Sequence, residues 1–403
     1  MPQGYKMTSL GVIPQDWEEK KLGDIAEINP RNGEITSQFV TFLTMSDISE
    51  HGGIIKENII PNISLKPGFT SFKKGDIIIA KITPCFENGK GALLDNITEE
   101  YGFGSTEFHV IRSRQCNHFI YFHTISYAFR KRLESQMTGS AGQKRVPADS
   151  VSSYKLPVPP LPEQQKIAEV LGTWDKAIEK QSQLIKKLEL RKKGLMQQLL
   201  TAKRRLPGFS EPWKKVRFCE LFIKVIKTAD PLKKYEVLSV TKEGIFSQKL
   251  YFNKDIASED TSKYIVVERG DLAMSGLNFW MGSCHILTNF DEGIISPAYK
   301  VFKVDKHNNI DFIKDFVQSS MFLQALQGSS VIGASVVRRN LDKEMLYEWT
   351  FKIPSITEQT AIAQVLTAAD REIELAQQKL ELLRQQKRGL MQQLLTGKKR
   401  VKI

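Results

Sequence analysis

Two short stretches combine glycine with side chains that bond to planar or anionic partners. Residues 139–145 read GSAGQKR and residues 333–340 read GASVVRRN, with Gly139 and Arg145 matched to Gly333 and Arg339 at a separation of 194. Arg and Lys donate to guanine edges and to phosphates, and Asn and Gln offer the paired donor and acceptor that fit adenine. The candidates in the first stretch are Gln143, Lys144 and Arg145; in the second they are Arg338, Arg339 and Asn340. Lys81, Thr83 and Lys90 follow a strand-like run, with Ser105 and Thr106 as weaker candidates. The matched places in the second half hold Ser275, Asn278 and Trp280, and Lys242 is a further candidate. For each residue alone the plain alternative is a solvated surface side chain. The two loops carry more weight as segments than any one residue does.

Motifs for bond-making chemistry do not emerge. Gly89-Lys90-Gly91 has Pro84 where a phosphate-cradling loop needs its first glycine. Asn29-Pro30 and Asp230-Pro231 are followed by Arg31 and Leu232, so they read as turn signals and not as an amino-methyltransferase string. His118 and His123 have no other good ligands nearby in sequence and read as surface or core histidines. Cys85, Cys116, Cys219 and Cys284 are scattered without a CxxC spacing, which suggests neither a zinc site nor a disulfide framework. They fit ordinary thiols in a reducing compartment. No metal or cofactor site is expected on this chain, and an enzyme in its own right has no motif to support it.

The formal net charge is +13 and the isoelectric point about 9.3, so an acidic partner is expected, with nucleic acid first. A hydrophobic content of 41% suffices for real cores, and 403 residues suffice for two or three domains. There is no apolar run of the roughly 18 residues a membrane span needs and no signal-peptide core, so a cytoplasmic protein is expected.

The elements that must position these loops are written twice. Residues 163–201 align with residues 358–396 without a gap at a separation of 195, and about half the aligned residues are identical. Both copies are rich in good helix formers and lack internal proline. Pro162 stands at an expected first helical position, Ser355-Ile356-Thr357-Glu358 fits a capping box, and Gly397 is a stop signal. Apolar residues recur at 4-3-4-3 spacing, the pattern of a heptad seam. In the first copy the seam is Trp174, Ile178, Ile185, Leu188, Leu195 and Leu199, with Gln181 and Lys192 in register. In the second it is Ile373, Leu380, Leu383, Leu390 and Leu394, with Ala369, Ala376 and Lys387 in register. Such helices would extend roughly 58 Å at 1.5 Å per residue. A rod of that length spans about 17 base pairs of duplex at 3.4 Å each. The alternative is two amphipathic helices packed on separate cores.

The globular parts share a framework only. Trp17 matches Trp213, Lys74-Gly75-Asp76 matches Arg269-Gly270-Asp271, and Ser105-Thr106-Glu107-Phe108 matches Ser296-Pro297-Ala298-Tyr299. Residues 39–45, 76–82 and 108–111 read as strands, 119–135 as a helix, and 17–25 as a strand or turn leading into a helix. The expected architecture is α+β, arranged globular–helix–globular–helix with approximate internal two-fold symmetry. Its segments are residues 1–155, 156–202, 203–352 and 353–403. Two related domains on a basic chain could read two half-sites on one duplex.

The chain closely resembles the specificity subunit of type I restriction–modification systems. The residues that carry this are Pro160-Leu161-Pro162-Glu163-Gln164, the paired KKGLMQQLLT (192–201) and KRGLMQQLLT (387–396), GDIIIAKITPCFENGKGA (75–92) and GFGSTEFHVIR (102–112). The resemblance implies two target recognition domains, each reading one part of a split DNA site. It implies that the long helices form an antiparallel coiled coil that measures the spacing and docks two methyltransferase (modification) subunits. Those partners would bind S-adenosylmethionine, and restriction subunits using ATP and Mg2+ would join the complex. The docking surface would be the outer faces of the helices with adjoining parts of the target domains, and the apolar residues off the seam, Leu184, Met196, Leu382 and Met391, are candidates for it. Two alternatives remain at this point: the recognition subunit of a two-chain enzyme that cuts on both sides of its site, and a coiled-coil scaffold without sequence-specific DNA binding.

Overall fold

The computed structural model describes residues 3–50, 52–62, 68–140, 142–230, 233–252, 260–335 and 338–402. Ala141 of the first basic loop, Pro231, Leu232 and the side chain of Arg338 lie outside the described residues. By backbone contacts the chain divides into two compact units, residues 1–182 with 379–403, and residues 183–378. Each unit therefore contains half of each long helix, Leu161–Leu199 and Ile356–Leu394. Strand and helix mix throughout both units, so the α+β class expected from the sequence is borne out.

In the first unit an antiparallel sheet runs in the order Ala26–Ile28, Phe108–Ser113, Ile77–Ala80, Gly91–Leu93. A second four-stranded sheet orders Asn58–Pro61, Phe39–Leu43, Tyr101–Gly104, Thr70–Lys73, with one parallel pairing between Phe39–Leu43 and Tyr101–Gly104. Strands Glu18–Lys21 and Lys155–Val158 pair beside the start of the first long helix. Ile77, Ile78, Ile79 and Ala80 are all fully buried, because the strand is covered on both faces, and an unbroken apolar run fits that better than an alternating one. The single helix expected over 119–135 is two, Asn117–Thr124 and Tyr127–Glu134. Ser126 breaks it, since its hydroxyl accepts from the Phe129 N–H and caps the second helix.

The second unit has the matching antiparallel sheet, Phe222–Val225, Lys300–Val304, Leu272–Met274, Cys284–Ile286. Helices Ile310–Phe316 and Ser320–Gly328 follow it, the second again capped by a serine, Ser319. Strands Lys214–Arg217 and Thr350–Ile353 pair before the second long helix. The hairpin Ser330–Ser335/Arg338–Leu341 carries the second basic stretch.

One turn recurs and needs glycine. Gly75 and Gly270 have φ of 86° and 92°, a region open to glycine at little cost. Asp76 and Asp271 close these turns by accepting from the N–H of Lys73 and Glu268. A second glycine is needed for space. A Cβ on Gly276 would stand 1.9 Å from the Ala298 carbonyl oxygen. Gly276→Ala is expected to lower the stability of the second unit by about 1–3 kcal/mol. A urea midpoint equal to the wild type would show that the 296–299 turn moves aside freely.

Each unit closes the start of a long helix with the same three residues. Glu163 is fully buried and accepts from Trp17 Nε1 at 3.0 Å and from Arg400 Nε and Nη2 at 2.6 and 2.7 Å. Glu358, 2% exposed, accepts from Trp213 Nε1 at 3.1 Å and from Arg205 Nε and Nη2 at 2.6 and 2.7 Å. Glu358 is thus not the capping-box acid expected from its spacing. Its carboxylate is engaged by the stronger charge-assisted fork of Arg205. Pro162 lies one residue inside the helix, which starts at Leu161, while Gly397 adopts the left-handed stop conformation at φ 70°.

The helix halves pack antiparallel within each unit. In the first, Glu163 and Asp175 meet Arg400 and Lys387; in the second, Lys192 and Arg205 meet Asp370 and Glu358. The seam positions are the covered ones. Ile185, Leu199 and Leu394 are buried, and Trp174, Ile178, Leu188, Leu195, Ile373, Leu380, Leu383 and Leu390 are half-buried. Off the seam, Leu184 and Leu382 are exposed. Met391, however, is buried in the first unit's core and Met196 packs on the second's, so neither is a free docking residue. The C-terminal end of each long helix lies against an apolar core, which covers faces a free coiled coil would expose.

Candidate nucleic-acid interface

In the first unit the connection between strands Ile77–Ala80 and Gly91–Leu93 meets the basic loop through the backbone. Thr83 N–H donates to the Lys144 carbonyl at 3.0 Å, and the Val146 N–H donates to the Lys81 carbonyl at 2.8 Å. The Thr83 hydroxyl donates to the Gly142 carbonyl and accepts from the Lys144 N–H, both at 3.2 Å. The turn at 105–108 joins them, since the Lys81 N–H donates to the Glu107 carbonyl at 2.9 Å. Lys81, Thr83, Thr106, Gln143, Lys144 and Arg145 are therefore neighbours, although 64 residues of sequence separate the ends of that set. Thr106, Gln143 and Lys144 are exposed.

Three candidates have other work. Arg145 Nε and Nη2 grip the Glu107 carboxylate at 2.9 and 2.8 Å. That hydrogen bond holds the Glu107 carboxyl below the usual range and raises the Arg145 guanidinium. Glu107 was not among the candidates, and its position in the GSTEF string carries no sign of this partner. Lys90 donates to the Met45 carbonyl at 2.9 Å, which turns it into a loop clamp. The Ser105 hydroxyl accepts from the Glu107 N–H and shapes the turn.

The second unit repeats the arrangement with different side chains. The connection 275–283 contains a short helical turn, Phe279–Met281, and lies beside the hairpin. The Arg339 guanidinium lies over the Trp280 ring, 4.7 Å from its centre. Its Nη1 donates to the Ser330 hydroxyl at 3.1 Å. Asn278 and Asn340 are exposed nearby in the same segments. Ser275 is a correction: it is 5% exposed, and its hydroxyl accepts from the N–H groups of Leu277 and Asn278. A polar residue opening a tight turn is drawn to backbone donors, so it is spent before any ligand arrives. Lys242 is exposed but has different neighbours. It lines a cavity of about 450 Å³ with Lys192, His285, Lys314, Asp315 and Gln318.

Among the described residues no group of three or more His, Cys, Asp or Glu side chains is gathered as a metal ion would need. No helix among them is long and apolar enough to cross a membrane.

Set beside known proteins, residues 14–190 match the family described as type I restriction modification DNA specificity domain. The chain is 43% identical over 160 residues to the EcoAI type I restriction enzyme specificity subunit of Escherichia coli. That match covers 38% of this chain but only 27% of the relative, and a similar match to the EcoEI subunit covers 28% of that relative. Similarity to a Methanocaldococcus jannaschii chain named as an MjaX type I restriction enzyme specificity subunit is weaker but complete. It is 26% identical and covers 99% of this chain and 97% of that one. The fold is shared with a chain from a structure of the type I R-M system, with a TM-score of 0.60 at 16% identity, covering 96% of this chain and 99% of that one. The M. genitalium type I S subunit gives 0.50 at 13% identity, covering 98% and 99%. Residues 14–190 are thus a type I DNA specificity domain. The wider resemblance read from the sequence, to type I restriction–modification specificity subunits, is borne out.

Proposed function

We propose that this chain is the DNA sequence-specificity subunit of a type I restriction–modification complex. The observation that carries this reading is the DNA specificity domain over residues 14–190, on which exposed donors of one basic loop sit against one strand connection. The second unit supplies a second such surface with different side chains, which fits a split, asymmetric site. In this reading residues 1–155 and 203–352 are the two target recognition domains, and the helical segments 156–202 and 353–403 set the spacing. The chain performs no bond chemistry itself. Two methyltransferase subunits dock on it and bring S-adenosylmethionine; restriction subunits bring ATP and Mg2+. The complex works on double-stranded DNA in the cytoplasm, without a membrane. Relatives named as type I subunits favour this over the recognition subunit of a two-chain enzyme.

Methylome sequencing of cells expressing the chain with its cognate methyltransferase tests this. A split adenine-methylated motif that disappears without the chain is expected. An absent motif, together with weak, salt-sensitive DNA binding of no site preference, would instead indicate a scaffold.

A further inference from the structure

The two units hold matched arginines in opposite ways. Arg145 and Arg339 stand 194 residues apart, each on the basic segment beside the strand connection. The same turn occurs in both units: the Phe108 N–H donates to the Ser105 carbonyl, and the Tyr299 N–H donates to the Ser296 carbonyl. At the place of Glu107 the second turn has Ala298. Its carbonyl lies against Gly276, as the Glu107 carbonyl lies against the Lys81 N–H. In the first unit the acid occupies the Nε–Nη2 edge of Arg145. In the second unit alanine supplies no acid, and the guanidinium lies on Trp280 instead, 4.7 Å from the ring centre.

Stacking on an aromatic face fixes the plane of a guanidinium and leaves its N–H edges in that plane. One further bond, Nη1 to the Ser330 hydroxyl, limits rotation within the plane. Arg339 Nε is buried without a hydrogen-bond partner among the described residues, so the donors left for a ligand are those of the Nη1–Nη2 end. A flat pair of donors without a competing carboxylate suits a flat pair of acceptors. In duplex DNA the guanine O6 and N7 are such a pair in the major groove. A phosphate also accepts such a fork, and the two ligands differ in readout: a guanine contact changes the preference at one position, a phosphate contact changes binding at all sequences. Exposed Leu277 and Asn278 flank Trp280 on the same connection and suit a neighbouring thymine methyl or adenine.

We propose that Arg339 reads a guanine in the half-site of the second unit, and that Trp280 is its positioning residue. This assignment rests on the DNA-specificity reading above and adds one base, one reader and its support to it. The first unit, whose matched arginine is engaged by Glu107, presents Gln143 and Lys144 in its place.

The test uses the full chain with its cognate methyltransferase, and reads base preference position by position from the methylome. Arg339→Lys keeps the charge and loses the planar fork. It is expected to reduce the preference for one guanine in one half-site about 5- to 150-fold, with the other half-site unchanged. Trp280→Leu should relax the same position, and Trp280→Phe should restore part of the preference. Retention of the other half-site reports that the variants fold and assemble. Unchanged preference in Arg339→Lys overturns the assignment, as does methylation that falls by one factor at all sequences, which marks a phosphate contact. A wild-type chain that directs no split motif removes the underlying function and this assignment together. A wild-type motif with unaffected variants removes this assignment alone.

Discussion

Glu163→Ala is expected to lower the stability of the first unit by about 3 kcal/mol. The substitution removes the one acceptor shared by Trp17 Nε1 and the Arg400 fork. Trp17 is fully buried, so its N–H would be left without a partner, at a cost of about 1–3 kcal/mol. Breaking a buried pair from one side costs about 3–5 kcal/mol, but the Arg400 side chain is 38% exposed and keeps Asp16, which places the effect at the lower end. Glu163→Gln retains an acceptor for Trp17 and should cost about half as much. Asp16→Asn, which touches only the exposed side of Arg400, should cost under about 1 kcal/mol. Hydrogen exchange of the paired strands Glu18–Lys21 and Lys155–Val158, beside the site, localises the loss. Exchange in Glu163→Ala that equals the wild type would show that this triad contributes nothing to closure.

The same triad shows which parts of the molecule were legible in the sequence. The long helices were, because helix propensity and heptad spacing are local, and their bounds came out within two residues of those expected. Glu163 and Glu358 stood out within a repeated string, yet their role did not. Their partners Arg400 and Arg205 lie 237 and 153 residues away, and no periodicity reports such pairings. The local reading even misled at Glu358, where a capping-box spacing was real and a distant guanidinium outcompeted the cap. The candidate interface divides in the same way. The basic loops and the strand connections were visible as residue types, but whether a donor is free depends on what faces it. Arg145 faces Glu107, Lys90 faces a carbonyl, and Ser275 turns inward to its own backbone. Nothing in the composition separates these from Lys144, which is exposed.

The seam polar residues lead to the second large effect, in Lys192→Met. Lys192 Nζ donates to Asp370 at 2.6 Å and lies 3.4 Å from Asp315, which is 3% exposed. The matched lysine of the first unit, Lys387, bonds Asp175 at 2.5 Å and lies 5.1 Å from the centre of the Phe122 ring. One lysine thus meets a buried acid where the other meets an aromatic face. Burial raises the Asp315 carboxyl, an effect that Lys192 and Lys314 oppose. Removing Lys192 takes away part of that opposition, so the carboxyl rises further. The folded chain then holds a proton at pH values where the unfolded chain has released it. Stability must fall as pH rises from the unfolded value, near 4, through the raised folded value. Lys192→Met should therefore lie close to the wild type near pH 4 and fall progressively below it towards pH 8, by about 3 kcal/mol. The difference between the two urea-stability curves isolates this contribution, since the other titrating groups are common to both. Lys192→Met combined with Asp315→Leu should flatten the difference and recover stability to within about 1 kcal/mol, because the uncompensated charge is gone. A difference that does not depend on pH would mean that Asp315 is not what Lys192 holds. The lysine would then act on the seam through Asp370 alone, as Lys387 does through Asp175, and the second unit's helix Ile310–Phe316 would be held to the long helix by apolar packing.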